Sequence, residues 1–90
     1  VSDDEILAAM RLLGRTQGVF GEPAGVTGTA GVKKALELGL LDPDSTVVSV
    51  VTGNGLKDAA NGIKAAGEPM LVKPTMEALL DAFEENDIHP

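Results

Sequence analysis

The sequence has no cysteine, no tryptophan and no tyrosine, and a single histidine among its 90 residues. Without cysteine there is no disulfide, no thiol nucleophile and no thiolate zinc site. His89 stands one residue from the end of the chain. A cleft with specific charge partners is not expected there, so His89 reads as solvated and no metal site is expected. Phe20 and Phe83 are the only aromatic residues, which leaves little for nucleobases to stack on. Cations are scarce as well: 7 Lys and Arg against 14 Asp and Glu give a net charge of −7. That balance repels phosphate backbones, so nucleic acid is disfavoured on both counts and is not expected as a partner. No apolar run is long enough to span a membrane, and the first residues carry no basic n-region of a signal peptide. The expectation is one small, soluble, cytoplasmic domain with an aliphatic core and a narrow stability margin.

What the chain does have is a β-branched run, Thr46-Val47-Val48-Ser49-Val50-Val51, followed at once by Thr52-Gly53-Asn54-Gly55-Leu56-Lys57-Asp58. The run reads as a buried strand, and Gly-x-Gly at its end reads as a tight strand-to-helix turn. In open α/β sheets ligands sit at the carboxyl ends of strands, where such turns bring backbone and short side chains close to them. Thr52 would present a hydroxyl at that position and is the leading candidate functional residue. Asn-Gly is also a hairpin signal, but residues 56–66 show no period-2 alternation for a returning strand. Both a ligand-contacting loop and a purely structural turn fit the pattern.

Helices are signalled on either side. Ser2 and Glu5 have capping-box spacing, and Ile6, Met10 and Leu13 form an apolar stripe beside Leu7 and Ala9. This helix is predicted to run to about Thr16 and stop near Gly18, with Val19-Phe20 extended. Pro23 fits a second helical start. From Ala24 to Leu38 the chain is rich in small residues, which points to close approach by another helix or by a ligand. Val32, Ala35, Leu36 and Leu38 continue its apolar face, with Gly39 as the cap. Lys57 to Ala66 predicts a weak helix interrupted at Asn61-Gly62, and Met70-Leu71-Val72 a short second strand. A last helix opens at Pro74-Thr75-Met76-Glu77, with Met76, Leu79, Leu80 and Phe83 on one face. Acids at its far end oppose the helix dipole and predict fraying there. The expected class is α/β, in the order helix-helix-strand-helix-strand-helix. Two strands are too few for an independent sheet, and an all-aliphatic strand expects cover on both faces. Residues 1–90 therefore read as one unit at the edge of a larger domain, in line with a start at Val1 rather than Met.

Three segments carry a specific resemblance: Ser2-Asp3-Asp4-Glu5-Ile6-Leu7, then Gly21-Glu22-Pro23-Ala24-Gly25, then Thr46 to Asp58. Together, in this order, they resemble the C-terminal part of the threonine synthase family, fold-type II pyridoxal-phosphate enzymes related to threonine dehydratase and cysteine synthase. The resemblance implies conversion of O-phospho-L-homoserine and water to L-threonine and phosphate, by γ-elimination and then β-addition of water. It implies pyridoxal 5′-phosphate as cofactor, the remainder of the enzyme chain as partner, and a homodimer. By similarity, Thr52 would donate its hydroxyl to the pyridine nitrogen, and Gly53 and Gly55 would let the backbone pass close to the cofactor. Glu22 would approach the same end of the ring, although a capping acid before Pro23 is an equal reading. Lys57 reads as structural or ion-paired, because the lysine that carries the cofactor lies far upstream in the family. That lysine segment and the glycine-rich phosphate loop are not in this sequence, so no catalytic residue is assigned and the 90 residues alone are expected to be inactive. A related dehydratase, or a stand-alone interaction or regulatory module, are the alternative readings.

Overall fold

Capping chemistry fixes the first helix, α1 (Asp3–Gln17), at both ends. The Ser2 hydroxyl accepts the Glu5 N–H at 3.1 Å, while the Ser2 N–H donates to Glu5 Oε1 at 2.9 Å. These reciprocal bonds satisfy two donors that a helix start leaves open. Gly18 ends the helix in the left-handed region at φ 66°, a conformation glycine adopts at no steric cost. The second helix, α2 (Pro23–Glu37), begins with its proline in the first turn. It ends in a Schellman arrangement around Gly39: the Gly39 N–H donates to Leu36 O and the Leu40 N–H to Ala35 O.

The computed structural model describes residues 1–89. A single 3-10 turn (Gly55–Asp58) leads into α3 (Ala59–Ala66), and α4 (Met76–Glu85) completes the chain. Helix α3 runs through Asn61-Gly62 without the predicted interruption. Asp58 caps it, accepting the Asn61 N–H at 3.2 Å and Asn61 Nδ2 at 2.9 Å. Thr75 caps α4 by accepting the Ala78 N–H at 3.1 Å. At the far end of α4 the Asp87 N–H donates to Glu84 O and the Ile88 N–H to Phe83 O, with Asp87 at φ 54°.

Helices α1, α2 and α3 enclose the core, which consists of Ala9, Met10, Val26, Ala30 and Ala65. Ile6, Leu7, Leu13 and Val51 pack against it. The apolar stripe predicted for α1 is therefore the face that is covered.

The two predicted strands do not form. Among the described residues no strand is present, and the only β pairing is one isolated bridge. The physical reason is that a strand leaves its backbone donors and acceptors for neighbours to satisfy, and 46–51 and 70–72 do not pair with each other. The burial predicted for the 46–51 run fails for the same reason: Val48 is 86% and Val50 72% exposed, and in the 70–72 segment Leu71 is fully exposed. The α/β class, as an architecture within this chain, is corrected to four helices with unpaired apolar connections. Helix α4 buries no residue. The resulting shape is long, 50 × 27 × 20 Å, with a radius of gyration of 16.6 Å; a compact chain of this length would have about 12 Å.

Candidate cofactor-contact site

The Thr52–Asp58 loop is tied to the segment that precedes α2. The Glu22 N–H donates to Gly53 O at 2.9 Å, and the Gly55 N–H donates to Phe20 O at 2.9 Å. Between these two bonds Gly21 and Asn54 form the antiparallel bridge. The Asn54 side chain accepts the Leu56 N–H at 2.9 Å and turns the chain into the 3-10 segment. The loop thus leads into a helix and not into a hairpin, as the sequence predicts.

This pairing brings Thr52, Gly53 and Glu22 into one place, although 29 or more residues separate Glu22 from the other two. Thr52 is exposed and lies against the first turn of α2. A Cβ placed on Gly25 would come within 3.1 Å of Thr52 N and 3.3 Å of Thr52 Oγ1, so only glycine admits this approach without a shift. A Cβ on Gly28 would likewise meet Ser49 Oγ at 3.3 Å, and Ser49 Oγ pairs with Thr29 Oγ1 at 3.0 Å. Gly25 and Gly28 of this small-residue stretch therefore accommodate the 49–53 segment of the same chain, while Ala30 packs into the core against α1. The hydroxyls of Thr16, Thr27, Thr29 and Thr75 are all committed within the chain. Those of Thr46 and Thr52 make no such bond among the described residues, and Thr52 is the one that lies against Gly25 of α2.

Glu22 is placed differently. It stands at the helix start, yet its side chain makes no cap bond there. Its carboxylate instead covers Gly53, where any Cβ would overlap it. Lys57 reaches the same carboxylate, with Nζ 3.7 Å from Glu22 Oε2, and the Glu22 side chain is only 16% exposed. The ion-paired reading of Lys57 is the one observed, and the capping reading of Glu22 is not. Gly55 is filled in the same manner by the Phe20 ring, which also lies against Gly62 of α3. Phe20 was not a candidate in the sequence. Its only signal is a lone aromatic two residues before Glu22, with two glycines seven residues apart further along.

Two carboxylates near these elements are held ionised. The hydrogen bonds from Asn61, side chain first, lower Asp58 below its ordinary value of 3.8. At the start of α1, the Ser2 N–H and then Lys34 hold Glu5 at about 2. At the other end of the chain His89 lies 2.9 Å from Asp87, and both side chains are almost fully exposed.

Comparison with known proteins now bears on this geometry. Residues 1–53, which include Glu22, Thr52 and Gly53, match the family described as "Pyridoxal-phosphate dependent enzyme". The chain belongs to that family. Among curated relatives, the threonine synthase of Methanocaldococcus jannaschii is 42% identical over 85 residues, 94% of this chain and 21% of the relative. The threonine synthase of Halalkalibacterium halodurans is 45% identical over 82 residues, covering 90% of this chain and 23% of its own length. That of Mycobacterium tuberculosis is 52% identical over 63 residues, 70% of this chain and 18% of its own. The chain spans about a fifth of the length of the curated relatives it matches.

The donor set tests whether a pyridoxal-phosphate enzyme's cofactor suits these residues. An exposed, uncommitted hydroxyl on a turn held from both sides fits the nitrogen end of a pyridine ring. Among the described residues, no helix is long and apolar enough to cross a membrane.

Proposed function

We propose that this chain is the C-terminal part of a threonine synthase, which converts O-phospho-L-homoserine and water to L-threonine and phosphate with pyridoxal 5′-phosphate. The observation that carries this reading is the Thr52 hydroxyl, exposed at the foot of the 46–51 segment and uncommitted, while its neighbours are locked in place. The name carried by the matched relatives favours it over a dehydratase.

In this reading Thr52 would donate a hydrogen bond from its hydroxyl to the ring nitrogen, and Gly53 would keep the backbone there free of a side chain. A neutral hydroxyl orients the ring without protonating it, as a carboxylic acid in that place would. Glu22, paired with Lys57, would lie over Gly53 and support that turn beside the ring rather than touch it. The cofactor supplies the electron sink when bound. Binding of its phosphate and the covalent attachment belong to residues outside this chain.

The test is Thr52→Ala in the full-length protein. Loss of one hydrogen bond predicts about a ten-fold fall in turnover, with a displaced cofactor absorbance and an unchanged melting temperature. Thr52→Ser keeps the hydroxyl and should stay close to the wild type. Unaltered turnover and spectrum in Thr52→Ala reject the contact.

A further inference from the structure

We infer that Lys57 is a positioning residue for the cofactor site, acting through Glu22 on the Thr52-Gly53 turn. The inference rests on the reading of Thr52 as the ring contact.

The Glu22 carboxylate is mostly removed from solvent and lies over Gly53, next to the residue that carries the hydroxyl. Lys57 Nζ, 3.7 Å away, is its cationic partner among the described residues, and the lysine side chain itself is 73% exposed. A carboxylate held this far from water needs a counter-charge or it moves toward solvent. Lys57 therefore does more than decorate the loop surface. It keeps the carboxylate seated on Gly53, and that seating complements the two backbone bonds that join Gly53 and Gly55 to Glu22 and Phe20. The chain connectivity makes this a closed arrangement. Lys57 lies in the 3-10 turn that follows the loop, so one side chain reaches back across the loop to the segment that fixes its other side. If the carboxylate swings out, Gly53 is uncovered and Thr52 loses the support that sets its hydroxyl against Gly25.

Direct contact of Lys57 with the cofactor would make the lysine charge itself the essential feature. Positioning through Glu22 makes the unpaired carboxylate the source of damage, and removing that charge should repair it.

The experiment measures the affinity of the full-length apoprotein for pyridoxal 5′-phosphate by fluorescence titration. The variants are Lys57→Met, Lys57→Arg, Glu22→Gln/Lys57→Met and Thr52→Ala. Lys57→Met is expected to weaken binding about 3- to 5-fold, the scale of a pair with one exposed partner. Lys57→Arg keeps the charge and should bind as the wild type does. The double variant should return to within about two-fold of the wild type, because a neutral amide can cover Gly53 without a counter-charge. Amide hydrogen exchange at Gly55 in the apoprotein should quicken in Lys57→Met and slow again in the double variant. Wild-type affinity in Lys57→Met, or failure of Glu22→Gln to rescue it, overturns the positioning role while leaving Thr52 as a contact. A silent Thr52→Ala in the same titration overturns both.

Discussion

Two regions of this chain have similarly apolar sequences and opposite fates. Helices α1, α2 and α3 bury Met10, Val26 and Ala30 against one another, whereas from Thr46 to Val51 and from Gly67 to His89 no residue is buried. The difference lies in what each element needs. A helix satisfies its backbone internally and asks only for a partner along one stripe. A β-branched run asks for hydrogen-bonding neighbours at its edges and cover on its faces, and the 46–51 run finds cover only where Ser49 and Val51 touch α2 and the core. Apolar composition alone does not decide burial; the presence of the complementary surface does.

The largest expected effect breaks or upholds this contrast directly. Met10→Ala, at 2% exposure, should cost about 2–5 kcal/mol and dissolve the three-helix cluster. Leu71→Ala should change stability by less than about 0.5 kcal/mol, because Leu71 contacts solvent on all sides. Urea unfolding followed by circular dichroism reads both, and comparable costs would erase the distinction between the regions. A smaller effect sharpens it among glycines. Gly53→Ala must displace the flexible end of the Glu22 side chain from its Lys57 partner and should destabilise by up to about 1 kcal/mol. Gly31→Ala, inside α2 with open space around it, should stabilise by up to about 1 kcal/mol. Thermal melts of the two variants should therefore move in opposite directions.

The smallest effect concerns pH. The folded chain lowers Glu5 from 4.5 to about 2 through the Ser2 N–H and Lys34. Its contribution is fully present above pH 4.5 and is lost as pH falls through about 2. A carboxyl-carbon NMR titration should give a Glu5 midpoint near 2, and Lys34→Met should raise it. A midpoint at the ordinary value would mean that the capping box is not formed in solution.

Much of the helical part is legible in the sequence because its signals are local. Ser2 with Glu5, Gly18, Pro23, Gly39 and Thr75 each mark a boundary through chemistry that spans at most a few residues. The turn at Asp87 and the unbroken passage of α3 through Gly62 were not legible, and each has a specific cause. Asp87 adopts a conformation usually left to glycine, and Gly62 is where the Phe20 ring approaches α3 closely rather than where the helix breaks. At the candidate site, Thr52 and Gly53 stand out because strand, turn and helix signals meet there. The partnership of Glu22 with Lys57 links residues 35 positions apart, beyond the reach of periodicity or capping rules.

The bridge between Gly21 and Asn54 has one more consequence, in the entropy of chain closure. It joins the two ends of a long internal loop that holds α2 and the exposed turn at 40–45. The cost of closing such a loop grows only logarithmically, by about 0.6 kcal/mol for each doubling of its flexible length. The turn can thus gain residues at little expense to the site, whereas a one-residue slip at the bridge would carry Thr52 to the opposite side of the chain. Tolerance to length change and intolerance to register change are built into the same loop, at its middle and at its ends.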